Sequence, residues 1–139
     1  MKVLSYSKDE WKVLAADAHA ICFHELRDPE MDRIDFALLA VDEEKPLAYM
    51  TVRELDAKSA YLQHGGSFDH TRGTANSYRS YLALLNALKE KNYTRAGTYI
   101  ENTNTPMLKF AMKAGWLITG IRTFEGSILL EHQLQFKDI

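Results

Sequence analysis

The sequence predicts a mixed α/β (α+β) domain built on a central, mostly antiparallel, twisted sheet of about seven strands, in the element order β-α-β-β-β-α-β-α-β-β. Three observations predict it. Stretches with the helical spacing of apolar residues alternate with shorter runs rich in β-branched and aromatic residues. Capping and tight-turn residues stand at the junctions between them. The 139 residues, 46% hydrophobic and 26% charged, suffice for one continuous core and leave no room for a second domain, so 1–139 reads as a single domain.

Each element has its own signal. Lys2 to Tyr6 reads as an edge strand. Ser7-Lys8-Asp9-Glu10 has the Ser-x-x-Glu form of a capping box, so a helix begins near Lys8. Trp11, Val13, Leu14, Ala18, Ile21, Cys22 and Leu26 give that helix an apolar face running to about Arg27, where Asp28-Pro29 stops it. Phe36 to Val41 is a continuous apolar run, as in a strand covered on both faces, and Asp42 to Pro46 is the turn after it. Leu47 to Leu55 and Lys58 to Gly65, linked by Asp56-Ala57, complete an antiparallel meander. After the polar segment Ser67 to Gly73, the residues Tyr78, Tyr81, Leu82, Leu84, Leu85 and Leu88 mark a second amphipathic helix ending near Asn92. Arg95 to Glu101 is a strand. Thr105-Pro106 starts a third helix, with threonine as N-cap, and Gly115 closes it. Trp116 to Phe124 and Ser127 to Phe136 form a closing hairpin around Glu125-Gly126.

Charge and composition exclude several classes. A net charge of −2 offers no basic field for nucleic acid. No apolar stretch approaches the ~20 residues of a membrane span, and the first residues break into charge too early for a signal peptide, so a cytoplasmic protein is expected. Cys22 is the single cysteine and reads as a small buried hydrophobe, with no internal disulfide available. No two of His19, His24, His64, His70 and His132 have the i, i+4 spacing of a helical zinc site, and no metal is expected.

Three segments carry a resemblance. Arg72-Gly73-Thr74-Ala75-Asn76-Ser77 precedes a helix and resembles the Arg-Gly-x-Gly-x-Gly/Ala loop of the GNAT N-acetyltransferases, with Ala75 and Ser77 in place of two glycines. Asn104 to Trp116 resembles the family's Asn-x-x-Ala-x-x-Leu-Tyr-x-Lys-x-Gly-Phe segment, matched at Asn104, Met107, Phe110, Lys113, Gly115 and Trp116. Ser59 to Gly66 stands where the family's fourth strand splays from the fifth, and Gly65-Gly66 suits a close backbone approach there. The resemblance implies a GNAT-like fold and transfer of acetyl from acetyl-CoA to an amine. It places the cofactor along Gly65, Gly66, Arg72 to Ser77, Asn104 and Phe110. Small residues let backbone amides approach a diphosphate, and the helix N-terminus adds its positive end.

The acceptor half is less defined. Where the family carries its proton-donating tyrosine this chain has Ala111, which cannot transfer a proton. Glu101 is the first candidate for general base, sharing a strand face with Tyr99 by the two-residue period. His64 is the second, able to accept a proton near neutral pH. Tyr99 and Tyr61 could donate a hydrogen bond to the departing thiolate. The acidic run Asp28 to Asp32 falls where the family's acceptor loop lies and could attract a cationic amine on a small molecule, peptide or protein. The resemblance also implies a possible homodimer. Ala111 and the altered glycines leave open a protein of this fold that binds without catalysing, or a small interaction protein that binds no nucleotide.

Overall fold

A computed structural model describes residues 1–23 and 31–138 of the chain. The elements follow the predicted order: β1 (Lys2–Ser7), α1 (Lys8–Phe23), β2 (Phe36–Asp42), β3 (Lys45–Asp56), β4 (Ser59–Ser67), α2 (Ala75–Glu90), β5 (Arg95–Glu101), α3 (Thr105–Ala114), β6 (Leu117–Phe124) and β7 (Ser127–Gln135). Short 3₁₀ turns stand at Met31–Arg33 and Phe136–Asp138. The seven strands form one sheet in the order β1-β2-β3-β4-β5-β7-β6, antiparallel throughout except where β4 and β5 run parallel.

Local signals account for the boundaries. The capping box forms as read: the Ser7 amide donates to Glu10 Oε1 at 2.9 Å and the Glu10 amide to Ser7 Oγ at 3.2 Å. Those bonds hold the Glu10 carboxyl below its ordinary range. The face of α1 is narrower than the spacing suggested. Trp11 and Ala15 are buried, whereas Val13 is 82% exposed, because two residues past Trp11 is about 200° round a helix. The expected continuation of α1 to Arg27 lies outside the described residues, as do Asp28, Pro29 and Glu30. The β2–β3 turn is tighter than predicted: Asp42 pairs with Lys45, and Glu43 and Glu44 make the corner with φ of +49° and +66°. The cap of α3 is Asn104 rather than Thr105, its side chain accepting from the Met107 amide at 3.4 Å, and Gly115 ends the helix in the left-handed region.

The sheet separates two apolar layers. On one face Leu38, Met50, Val52, Ala60, Leu62, Ala96, Ile100 and Leu134 pack with Leu84, Leu85 and Leu88 of α2 and Ala111 and Ala114 of α3. Truncating any one of the three α2 leucines to alanine would cost about 2–5 kcal/mol. On the other face Trp11 and Ala15 of α1 pack on Ala37, Tyr49 and Phe68. That second layer covers only the β1–β4 half of its face; among the described residues no helix covers β5, β7 and β6 there.

Candidate active site

β4 and β5 begin side by side. Ser59 pairs with Arg95, Ala60 with Ala96 and Tyr61 with Gly97, and there the pairing ends, although β4 runs on to Ser67 and β5 to Glu101. β5 stays joined to β7 by its other edge and β4 to β3 by its own, so past Tyr61 and Gly97 it is the facing edges of β4 and β5 that no longer pair with each other. The first unpaired position is bridged by a side chain: Thr98 Oγ1 donates to the Leu62 carbonyl at 2.9 Å. A threonine hydroxyl there satisfies one backbone acceptor and holds the vertex of the gap without zipping it further.

The far end of β4 is tied to the start of α2. Ser67 and Ser77 share a hydrogen bond between their hydroxyls at 2.6 Å, and Ser77 is fully buried. Buried Thr71 donates to the Leu47 and Phe68 carbonyls at 2.7 and 2.9 Å. The Arg72 guanidinium reaches the Ser67 carbonyl at 3.1 Å and Asp69 at 3.3 Å. Gly73 takes φ +78°, which a side chain would oppose, while Ala75 and Ser77 lie within the helix at ordinary angles. The loss of two glycines is therefore compatible with the loop, and Ser77 fastens it from behind.

The amides of Gly73, Ala75 and Asn76 meet no backbone acceptor among the described residues outside the helix, and these residues are exposed. Thr74, the N-cap residue, spends its hydroxyl on the Thr71 carbonyl at 2.6 Å instead of capping the helix. An uncapped helix start on the surface is a site for an anion. At Gly65 a Cβ would stand 3.0 Å from the Tyr49 carbonyl oxygen, a contact tight enough that β3 and β4 would have to ease apart slightly to admit a side chain.

The sequence candidates divide between two faces. Tyr61, Tyr99 and Glu101 lie on the face of the sheet opposite α2, Tyr99 and Glu101 in the part that α1 leaves open, with the Tyr61 and Tyr99 ring centres 6.3 Å apart. Glu101 is exposed, at the end of β5 opposite Leu129. His64 is half-buried and pairs with Thr51, whose hydroxyl accepts from the His64 amide at 3.0 Å. Phe110 lies on the other side of the sheet, packed between Tyr78 and Tyr81 at 5.7 and 6.1 Å, with the Lys113 ammonium 4.2 Å from the Tyr78 ring centre. Asn104 commits its oxygen to capping α3. In the same seam the buried Tyr81 hydroxyl faces the Trp116 indole; neither has a hydrogen bond of good geometry, and burial drives the tyrosine pKa upward.

Sequence reasoning missed Thr98 and Glu131. Glu131 pairs with Tyr99 across β5 and β7 and accepts from the Tyr99 hydroxyl at 3.1 Å and the Thr119 hydroxyl at 2.7 Å, bonds that hold its carboxyl below the ordinary range. The signal for it was the register of two strands 32 residues apart, which no local pattern carries. Among the described residues no group of three or more His, Cys, Asp or Glu is placed to hold a metal ion. No helix there is long and apolar enough to cross a membrane.

No family model matches the sequence, and no curated protein matches it in sequence. Solved structures do match the fold. The ribosomal-protein-S18-alanine N-acetyltransferase of Escherichia coli superposes with a TM-score of 0.75 at 12% identity, over 97% of this chain and 93% of that one. The chain has the GNAT fold. An IAA acetyltransferase from Bacillus cereus gives 0.73 at 10% identity, over 96% and 98% of the two chains. A GNAT family acetyltransferase from Elizabethkingia anophelis with acetyl-CoA bound gives 0.62 at 14%, over 72% and 75%. Ser59 to Gly66 lies in β4, which parts from β5, and Arg72 to Ser77 spans the loop before α2 and the start of that helix.

Proposed function

We propose that the chain transfers acetyl from acetyl-CoA to an amine. The single observation that carries this reading is the gap: two parallel strands that pair for three residues and then part, beside an uncapped helix N-terminus. The edge of β4 from Leu62 to Gly66, which β5 does not pair with, suits an extended arm laid along it. The amides of Gly73, Ala75 and Asn76, with Arg72 and Thr74 beside them, suit a diphosphate, and Ser77 holds their helix in place. Asn104 at the start of α3 and Phe110 within it are the further cofactor contacts of this reading. Two solved neighbours of this fold hold acetyl-CoA, which supports acetyl-CoA as the donor.

The amine would enter from the open face at the vertex. Its nitrogen attacks the thioester carbonyl carbon, a C–N bond forms, the C–S bond breaks, and the nitrogen's surplus proton passes to a carboxylate. Glu101 is the proposed base, with His64 as the second candidate. The sulfur leaves as a thiolate and water can return the proton; the Tyr99 hydroxyl, which the sequence offered as a donor to the thiolate, gives its hydrogen bond to Glu131 instead.

The test is CoA binding by calorimetry, with a thermal upshift alongside. At a hundred times Kd the ligand should stabilise the protein by about 2.7 kcal/mol. Arg72→Glu, which puts a carboxylate beside the anion site, should weaken CoA by about 1–2 kcal/mol, five- to thirty-fold. Unchanged affinity would remove this loop from the site. Ala111, fully buried where the family has its tyrosine, favours a second reading in which the fold binds CoA without catalysis. CoA binding with no turnover across a broad amine panel would select it.

A further inference from the structure

Tyr99 on the open face is flanked by opposite charges that do not meet. Its hydroxyl donates to Glu131, and the Arg122 guanidinium carbon lies 5.8 Å from its ring centre and 5.9 Å from that of Phe124. Arg122 forms no ion pair among the described residues, whereas Glu131 is fixed by two hydroxyls. Two aromatic rings orient the guanidinium, and among the described residues its N–H donors meet no acceptor.

Gly97 and Gly120 carry no side chain over this face: a Cβ at Gly97 would meet only the His132 carbonyl oxygen, at 3.8 Å, and one at Gly120 would touch the Cβ and a carboxylate oxygen of Glu131 at 3.6 and 3.8 Å, ordinary contact distances. The face presents a carboxylate and a guanidinium on either side of Tyr99, two residues past the last position at which β5 pairs with β4. A neutral-tailed monoamine would leave Arg122 unused.

Resting on the acetyl-transfer reading, we propose that the acceptor is a zwitterion of the amino-acid type, its nitrogen toward Glu131 and its carboxylate on Arg122. The guanidinium fork matches a planar carboxylate in two parallel hydrogen bonds. Glu131 attracts the ammonium form on entry and does not need to be the base.

The test uses the full chain saturated with CoA and matched ligands that differ by one carboxylate: L-alanine and ethylamine, L-leucine and 3-methylbutylamine, L-phenylalanine and 2-phenylethylamine, followed by ligand-observed NMR titration. In at least one pair the amino acid should bind about tenfold or more tightly than its amine. Arg122→Gln should abolish that preference with CoA affinity unchanged, and Arg122→Lys should keep part of it. Equal or tighter binding of the plain amines overturns the proposal, as does failure of every amino acid to bind while CoA binds. O-phosphoethanolamine offers Arg122 a phosphate instead; a preference for it over all three amino acids overturns the carboxylate assignment. Failure of CoA itself to bind is a separate readout and overturns the acetyl-transfer reading first.

Discussion

Thr98→Val tests the vertex of the gap most directly. Valine keeps the volume and branching of threonine but deletes the hydroxyl that reaches the Leu62 carbonyl at 2.9 Å. A typical intramolecular hydrogen bond contributes about 0.5–1.5 kcal/mol, and an acceptor left unpaired costs about 1–3 kcal/mol when buried. Thr98 is half-buried and the parted strands admit water, so the lower part of the combined range applies, about 1–2 kcal/mol. For a domain of this size that lowers Tm by roughly 3–8 °C. Urea unfolding of wild type, Thr98→Val and Thr98→Ser measures it, the serine variant retaining most of the stability. The same set is titrated with CoA, since a looser vertex should also weaken the donor. If Thr98→Val unfolds within about 0.3 kcal/mol of wild type and binds CoA equally, the hydroxyl does not set the vertex and the account of the gap is wrong.

Three further outcomes can be measured. Gly73→Ala has open space around the new methyl, so only the φ of +78° opposes it; a loss of about 1–2 kcal/mol in thermal unfolding is expected, and a neutral result would show that the loop relaxes. Glu101→Gln should lower kcat far more than it raises KM if Glu101 takes the proton, and equal rates would exclude it in favour of His64. Glu131 has a folded pKa below its ordinary 4.5, so what its bonds to Tyr99 and Thr119 contribute is present above that value and lost as pH falls through the lowered one. Melting curves of wild type and Glu131→Gln should therefore differ at neutral pH and converge from about pH 6 down to about pH 3; a constant difference would mean the carboxylate charge is not what the hydroxyls stabilise.

The sequence by itself determined the element order, the capping box at Ser7 and Glu10, the left-handed ending at Gly115 and the hairpin at Glu125-Gly126. These features depend on residues within one helical turn or one tight turn of each other, so their chemistry is local. It also placed a glycine and a helix start beside each other at Gly73 to Ala75. Tertiary structure decided the rest. That Ser77 bonds to Ser67 follows from how α2 packs against the end of β4. The meeting of Thr98 with Leu62, and of Tyr99 with Glu131 and Arg122, is set by which strands become neighbours and in what register. Register is fixed by the burial of whole strand faces across a sheet, and no window of sequence contains that sum.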